Sequence, residues 1–348
     1  MSNPKKYQKL YSGIYDEIEN GQYKGGDKLP SENLLAERYG ISRQTVRQAL
    51  KRLENEGFIC KVHGSGSYIS EIALPSKKTK RIAVITTYIS SYIFPSILRG
   101  IDEIVNSQSY TLTLMVTNNS IAKEREILQK LSADMVDGIL VEGTKTALPN
   151  PNLSFYEKLS SRHIPLVFFN AYYPDLFKKP QDSMVYVVTD DYRGGYDLTT
   201  ELIKAGHRSI GGIFKSDDIQ GMNRFSGYIA ALSDNNVAFC DDHILWFTTE
   251  SKSIIERMLH VAEKILSECS AIVCYNDEIG SQVLEAMKDG EHSITAVSSF
   301  DKAYPLSMKD VEVHSLEHPK ENLGRMAANK LFDIIRGNHE ENEVLPWK

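Results

Sequence analysis

The sequence predicts an α/β protein in two unlike parts. A helical head of about seventy residues ends in a short hairpin, and a larger, two-lobed, doubly wound α/β domain follows. Three observations carry this. After residue 80, ten β-type runs alternate with helical periodicity, about one pair every 30 residues, as βαβ units in a parallel sheet require. Before that point, Ala73-Leu74-Pro75-Ser76-Lys77-Lys78-Thr79-Lys80 combines a proline, small polar residues and a basic cluster, so 71–80 reads as an exposed linker. The charge also changes sign across this linker. The 348 residues carry a net −6, yet residues 1–80 hold 14 Lys/Arg against 9 Asp/Glu while the remainder holds 26 against 37. Such asymmetry points to a nucleic-acid-binding arm on an acidic body.

Length and composition bound the rest. At roughly 100–200 residues per domain, two or three domains are expected. An apolar fraction of 41% fills globular cores, and 25% charged residues is ordinary for a soluble protein. The longest apolar runs, 82–85 and 164–169, are strand-sized and fall far short of the ~20 residues of a membrane span. The start, Met1-Ser2-Asn3-Pro4-Lys5-Lys6-Tyr7, lacks the apolar core of a signal peptide. Cys60, Cys240, Cys269 and Cys274 form no CxxC, and no His stands at metal-ligand spacing from a Cys pair. A cytoplasmic chain with buried thiols and no metal or cofactor is therefore expected. Glu340-Glu341-Asn342-Glu343 reads as a solvated terminus.

In the head, Leu29-Pro30-Ser31-Glu32 opens a helix, with Ser31 as N-cap and Glu32 complementing the helix dipole. Leu34, Leu35 and Tyr39 give it an apolar stripe, and Gly40 ends it as a left-handed cap. Ser42 caps the next helix, so two helices flank a short glycine turn, a helix-turn-helix arrangement. Val46, Leu50 and Leu53 turn one face of the second helix inward. Arg43, Arg47 and Lys51, each four apart, stack along another face beside Gln44 and Thr45. Arg can bond guanine O6 and N7 together, Gln can do the same with adenine, and Thr can reach a phosphate or a thymine methyl. Recognition helices use their amino-terminal residues on base edges, which is where these residues lie. Arg/Lys stripes usually only solvate a helix, but here a strand (57–62), a tight turn (His63-Gly64-Ser65-Gly66-Ser67) and a return (67–69) follow directly. A hairpin in that place is a wing. Gly64 and Gly66 let its backbone approach a phosphate or the minor groove, and His63 is placed to read a base edge.

The runs Lys28-Leu29-Pro30-Ser31-Glu32, Tyr39 to Leu50, Glu56-Gly57-Phe58-Ile59 and Gly64 to Ile69 resemble the winged helix-turn-helix of GntR-type transcriptional regulators over nearly all of residues 5–70. The resemblance implies a DNA-binding domain at 1–70. It also implies operator contacts from Arg43, Gln44, Thr45, Arg47, His63 and Gly64, with Ser42 and Gly66 alongside, Glu32 near the groove, and phosphate contacts from Lys5 and Lys6.

In the larger part, β-type runs fall at 81–87, 111–117, 136–141, 164–170 and 184–189, then at 209–214, 243–247, 271–275, 295–300 and 312–316. Helical patterns fall at 95–106, 122–133, 194–205, 224–233, 253–267 and 279–289. Two sets of five strands imply two lobes, with a ligand at strand carboxyl ends or between lobes. Asp190, Asp191, Asn276 and Asp301 follow strands, and Arg224 begins a helical pattern. A sugar needs carboxylates and amides as acceptors, an Arg donor and an aromatic plate, and these positions supply them. The simpler roles stay open: an Asp or Asn after a strand is a common helix N-cap, Arg224 can bridge the lobes as an ion pair, and His207 suits a structural turn.

Tyr92 to Ile101, Asp137-Gly138-Ile139, Thr189-Asp190-Asp191 with Gly194-Gly195-Tyr196, Leu202 to Ile210, Arg224 with Gly227-Tyr228, Tyr275-Asn276-Asp277 and Ser299-Phe300-Asp301 follow one another as in the periplasmic-binding-protein-like domain of LacI/GalR regulators. This resemblance makes 81–348 an effector-binding and dimerisation domain. It implies that Arg224, Asn276 and Asp301 grip a sugar, that Phe94 lies near it, that His318 is polar in the last crossover, and that one of Asp190 and Asp191 faces the ligand. The charged loop 215–220, with Asp218 and Gln220, is a further source of contacts. The combination is similar to the layout of the arabinose repressors of Gram-positive bacteria. It implies a homodimeric repressor on a palindromic, double-stranded operator, released by a sugar, L-arabinose before other pentoses, hexoses or purines, with no membrane partner. The competing class, a sugar-converting enzyme, would need a catalytic triad or metal set that the sequence does not display; Asp190 with Asp191 has no nucleophile beside it.

Overall fold

Apolar residues at spacings of three and four fold the head. The computed structural model describes residues 6–19, 22–55, 57–62, 65–70, 79–131, 135–178, 183–261, 263–289 and 292–348. The chain divides into two compact units, Met1–Thr79 and Lys80–Lys348. The first holds α1 (Lys6–Glu19), α2 (Glu32–Tyr39), α3 (Arg43–Asn55) and the antiparallel pair β1 (Ile59–Val62) and β2 (Gly66–Ile69). Leu10, Ile14 and Ile18 of α1 meet Leu35 of α2, Val46, Ala49, Leu50 and Leu53 of α3, and Ile59 and Ile69 of the hairpin in one core. Of the expected linker, 71–78 lie outside the described residues.

The second unit is built from two parallel sheets. The N-lobe sheet has six strands, β3 (Arg81–Thr86), β4 (Thr111–Val116), β5 (Gly138–Val141), β6 (Leu166–Phe169), β7 (Met184–Thr189) and β13 (Glu343–Leu345), in the order β13-β7-β6-β5-β3-β4. The C-lobe sheet has five, β8 (Ile210–Lys215), β9 (Ile244–Phe247), β10 (Ala271–Cys274), β11 (Ala296–Asp301) and β12 (Glu312–Glu317), in the order β12-β11-β10-β8-β9. Helices α4 (Phe94–Ser107), α5 (Ile121–Lys130), α6 (Leu153–Ser161) and α12 (Lys320–Ile335) belong to the first sheet. Helices α7 (Asp191–Lys204), α8 (Ile219–Asp234), α9 (Ile255–Val261), α10 (Glu263–Glu268) and α11 (Asp277–Ala286) belong to the second. Ile82 and Val84 face one core while Ala83 and Ile85 face another, because the sheet is covered on both sides; that is why its strands read as unbroken apolar runs.

Several expectations are corrected. The pattern at 253–267 is a 3-10 turn followed by two short helices. Helices α6 and α12 and strand β13 add to the expected set. The acidic stretch near residue 340 is not a solvated terminus: Lys330 Nζ lies 2.9 Å from Glu340 and 3.5 Å from Glu343, and β13 pairs with β7. Cys269 and Cys274 are buried, but Cys60 is exposed and Cys240 half-buried. The chain passes between lobes after β7, after β12 and after β13, where Lys348 and Glu317 exchange backbone hydrogen bonds of 2.8 and 3.2 Å.

Candidate functional site

The head positions its polar residues through its caps. Ser31 Oγ accepts from Leu34 N at 3.4 Å, and Gly40, in the left-handed region at φ +62°, turns its N–H back onto the last carbonyls of α2. Ser42 Oγ accepts from Thr45 N at 3.2 Å and lies 2.8 Å from Thr45 Oγ1, so Ser42 and Thr45 fix the start of α3. Arg43, Gln44, Arg47 and Lys51 are exposed, while Val46, Ala49, Leu50 and Leu53 are buried. Arg47 Nε donates to Glu32 Oε2 at 2.8 Å, so the first turn of α2 orients a base-reading candidate on α3. The exposed pair contributes little stability, and its effect is on direction. Gly66 opens β2 at φ +122°. Lys5, His63 and Gly64 lie outside the described residues.

In the second unit a cleft of about 210 Å³ lies between the lobes, below the roughly 300–1,000 Å³ of drug-sized sites. Of the residues expected there, Phe94, Asp218, Gln220, Arg224, Asn276 and Asp301 line it. Asp190, Asp191 and His318 are not among the lining residues. Asp190 caps α7, accepting from Arg193 N at 2.9 Å. Asp191 is buried and reaches the cleft through Arg224, whose Nε donates to its Oδ1 at 2.9 Å. Both residues belong to C-lobe helices, so the pair does not bridge the lobes, and Arg224 sits in the second turn of α8, not at the start of the helix. His318 is buried against Trp347, ring centroids 5.3 Å apart. Asn276 lines the cleft and also caps α11, accepting from Ile279 N at 3.1 Å. His207 is structural, with Nδ1 2.9 Å from Ser270 Oγ.

Lys215 of the expected charged loop also lines the cleft, whereas Tyr92, Glu142, Asn170 and Tyr275, which line it too, were not among the expected contacts. Glu142 and Asn170 follow β5 and β6, where the strand-end rule would have found them. Glu142 is buried and accepts from Thr87 N at 2.8 Å, Thr87 Oγ1 at 2.5 Å, Thr86 Oγ1 at 3.2 Å and Asn170 Nδ2 at 2.7 Å. Burial pushes its carboxyl up against these bonds. Because Nδ2 is engaged, Asn170 keeps Oδ1 as a buried acceptor without a partner among the described residues. From the other lobe Asp301 does the same with Oδ1, while its Oδ2 accepts from the Tyr92 hydroxyl.

The cations of the cleft each meet a carboxylate. Lys215 Nζ lies 2.9 Å from Asp218 and 3.3 Å from Asp217; burial pulls its ammonium down, and the two carboxylates more than offset this. Tyr275 OH donates to Asp218 at 2.7 Å. Burial pushes Asp191 up to about 7, with Arg224 opposing. The Arg224 guanidinium stays charged, since Asp191 and Asp301 outweigh its burial. Across the mouth, Asn119 Nδ2 donates to Thr249 Oγ1 at 2.6 Å, Ile219 N to Thr146 Oγ1 at 3.0 Å, and Lys145 pairs with Glu250. Among the described residues no group of His, Cys, Asp and Glu could hold a metal ion, and no helix is long and apolar enough to cross a membrane.

Residues 6–69 match the model of bacterial regulatory proteins of the gntR family, and residues 79–346 that of periplasmic binding proteins and the sugar binding domain of the LacI family. The chain is 37% identical over 342 residues to an arabinose metabolism transcriptional repressor of Geobacillus stearothermophilus, covering 95% of this chain and 91% of that one. It is 33% identical over 349 residues to the repressor of the same description from Halalkalibacterium halodurans, covering 97% and 92%. The fold is shared with transcription regulator CcpA of Lactococcus lactis, at TM-score 0.63 and 23% identity over 78% of this chain and 97% of that one. These relatives are transcription regulators and not enzymes. The chain accordingly belongs to the family of bacterial regulators that join a gntR-type DNA-binding head to a LacI-type sugar-binding domain.

Proposed function

We propose that this regulator is a cytoplasmic, homodimeric repressor of sugar-utilisation genes that leaves a palindromic operator when L-arabinose binds the interlobe cleft. The observation that carries the reading is the composition of the cleft wall. Lys215, Arg224 and Lys252 each already have a carboxylate partner, whereas Asn170 and Asp301 keep buried acceptor oxygens open. Such a wall favours a small neutral ligand rich in hydroxyl donors over a phosphorylated one. Two relatives at 37% and 33% identity are described as arabinose metabolism transcriptional repressors, which supports the pentose. The exposed Arg43, Gln44 and Arg47 of α3 would enter the major groove, with the β1–β2 hairpin as the wing. Sugar can drive release only by binding one lobe arrangement better than the other, and the Asn119–Thr249 and Thr146–Ile219 contacts mark one such arrangement. Calorimetric titration with L-arabinose, other pentoses, hexoses and purines, paired with operator retardation, tests the proposal. L-Arabinose should bind and release the operator; binding by a hexose or purine alone would reassign the effector.

A further inference from the structure

We propose that Trp347 is a positioning residue for the effector site, its indole face holding the Arg224 guanidinium in its aim at the cleft. The inference rests on the cleft being the effector site. Trp347 follows β13 on the N-lobe sheet, where Asp190 N donates to Leu345 O at 2.9 Å. One residue further on, Lys348 is hydrogen-bonded to Glu317 at the edge of the C-lobe sheet. The indole is thus carried across the lobe boundary and comes to rest among C-lobe side chains.

There it completes a box around Arg224. The guanidinium carbon lies 4.2 Å from the Phe300 ring centroid, 4.8 Å from that of Tyr275 and 5.1 Å from that of Trp347, with Asp191 fixing Nε. Phe300 and Tyr275 belong to the C-lobe sheet and its loop, so they stand in place whatever the other lobe does. Trp347 alone of the three arrives from the N-lobe strand. The helix opposite makes room for it: a Cβ on Gly194 would lie 2.8 Å from Trp347 Cδ1. Phe300 packs edge-on against the indole at 5.1 Å and 70°, which fixes the plane of the ring. A desolvated guanidinium held between aromatic faces gains more than an exposed one, so loss of one face loosens the arginine without removing its charge.

The test uses the full chain with Trp347→Phe, Trp347→Leu and Trp347→Ala. The readouts are the L-arabinose concentration for half-release of the operator, the operator affinity without sugar, and the melting temperature. Leu and Ala should raise the half-release concentration on the order of tenfold, Phe should restore most of it, and operator affinity without sugar should not move. If Leu performs as well as Phe, the indole only fills space and the proposal is overturned. A second arm needs no sugar. The chain has two tryptophans, so Trp246→Phe leaves Trp347 as the sole tryptophan, excited selectively at the red edge beyond tyrosine absorption. Adding Arg224→Gln to that protein should shift the Trp347 emission, and an unchanged spectrum would also overturn the pairing. If the unsubstituted protein ignores L-arabinose, the functional reading fails, while the spectral arm still decides the contact.

Discussion

Arg47 and His318 show how much a single side chain can report. Arg47 is exposed, oriented by Glu32, and placed in the first turns of α3. Arg47→Ala should weaken operator binding by about 1–3 kcal/mol and relax preference at one base step, as read by retardation assays on single-base operator variants. His318 is the opposite case. Burial, with Arg224 and Lys320 nearby, pushes its imidazole down to about 3, so the folded protein keeps it neutral while the unfolded chain protonates it below about 6.5. The unfolded state therefore binds the extra proton between those values, and stability is present above pH 6.5 and lost as pH falls through that window. His318→Gln should remove a slope of up to about 1.4 kcal/mol per pH unit there, measured by denaturant titration from pH 7 to pH 4; an identical pH profile for the two proteins would mean that the imidazole is protonated when folded.

At the scale of elements, α7 and α8 meet so closely that side chains are excluded between them. A Cβ on Gly227 would lie 2.0 Å from Tyr192 O, and one on Gly195 2.2 Å from Arg224 O. Gly227→Ala should cost about 1–3 kcal/mol in chemical denaturation, and because α8 carries Arg224 it should also weaken effector binding. Elements were legible where periodicity was long. Helices α7 and α8 were visible but started later in the sequence pattern than in the structure, because Asp191, Ile219 and Gln220 look like loop until their caps are seen. Strand β13 was not legible: three residues beside an acidic run carry no period, and only pairing with β7 makes them a strand. In the cleft, Asn276 and Asp301 could be picked by position after strands, and Arg224 as the start of a helical pattern. Asp190 could not be told from a helix cap, since a carboxylate after a strand serves either purpose, and Tyr92 earns its place through a left-handed backbone at φ +62° that no composition signals.

For the whole molecule, the separation into a DNA-reading unit and a sugar-binding unit allows the two functions to be cut apart. Arg224 lies in the second unit, where it is bound to Asp191 and the Tyr275 carbonyl, whereas α3 belongs to the first. Arg224→Ala should therefore leave operator affinity intact while abolishing release by sugar. A variant that still lets go of the operator at ordinary sugar concentrations would move the effector site elsewhere. The net charge of −6 likewise averages two units with separate partners, and only the smaller has to meet phosphates.

The three passages between lobes have a consequence for how the chain reaches this state. The C-lobe sheet comes from one continuous stretch, β8 to β12, whereas the N-lobe needs α12 and β13 from beyond that stretch to cover its sheet and close the edge at β7. The C-lobe is, in effect, an insertion in the N-lobe. Contacts of such sequence separation form slowly, so the lobe translated first is the one completed last. Until then its β7 edge lies bare, and a growing chain of this protein is most open to mispairing at the strand that later leads into the hinge.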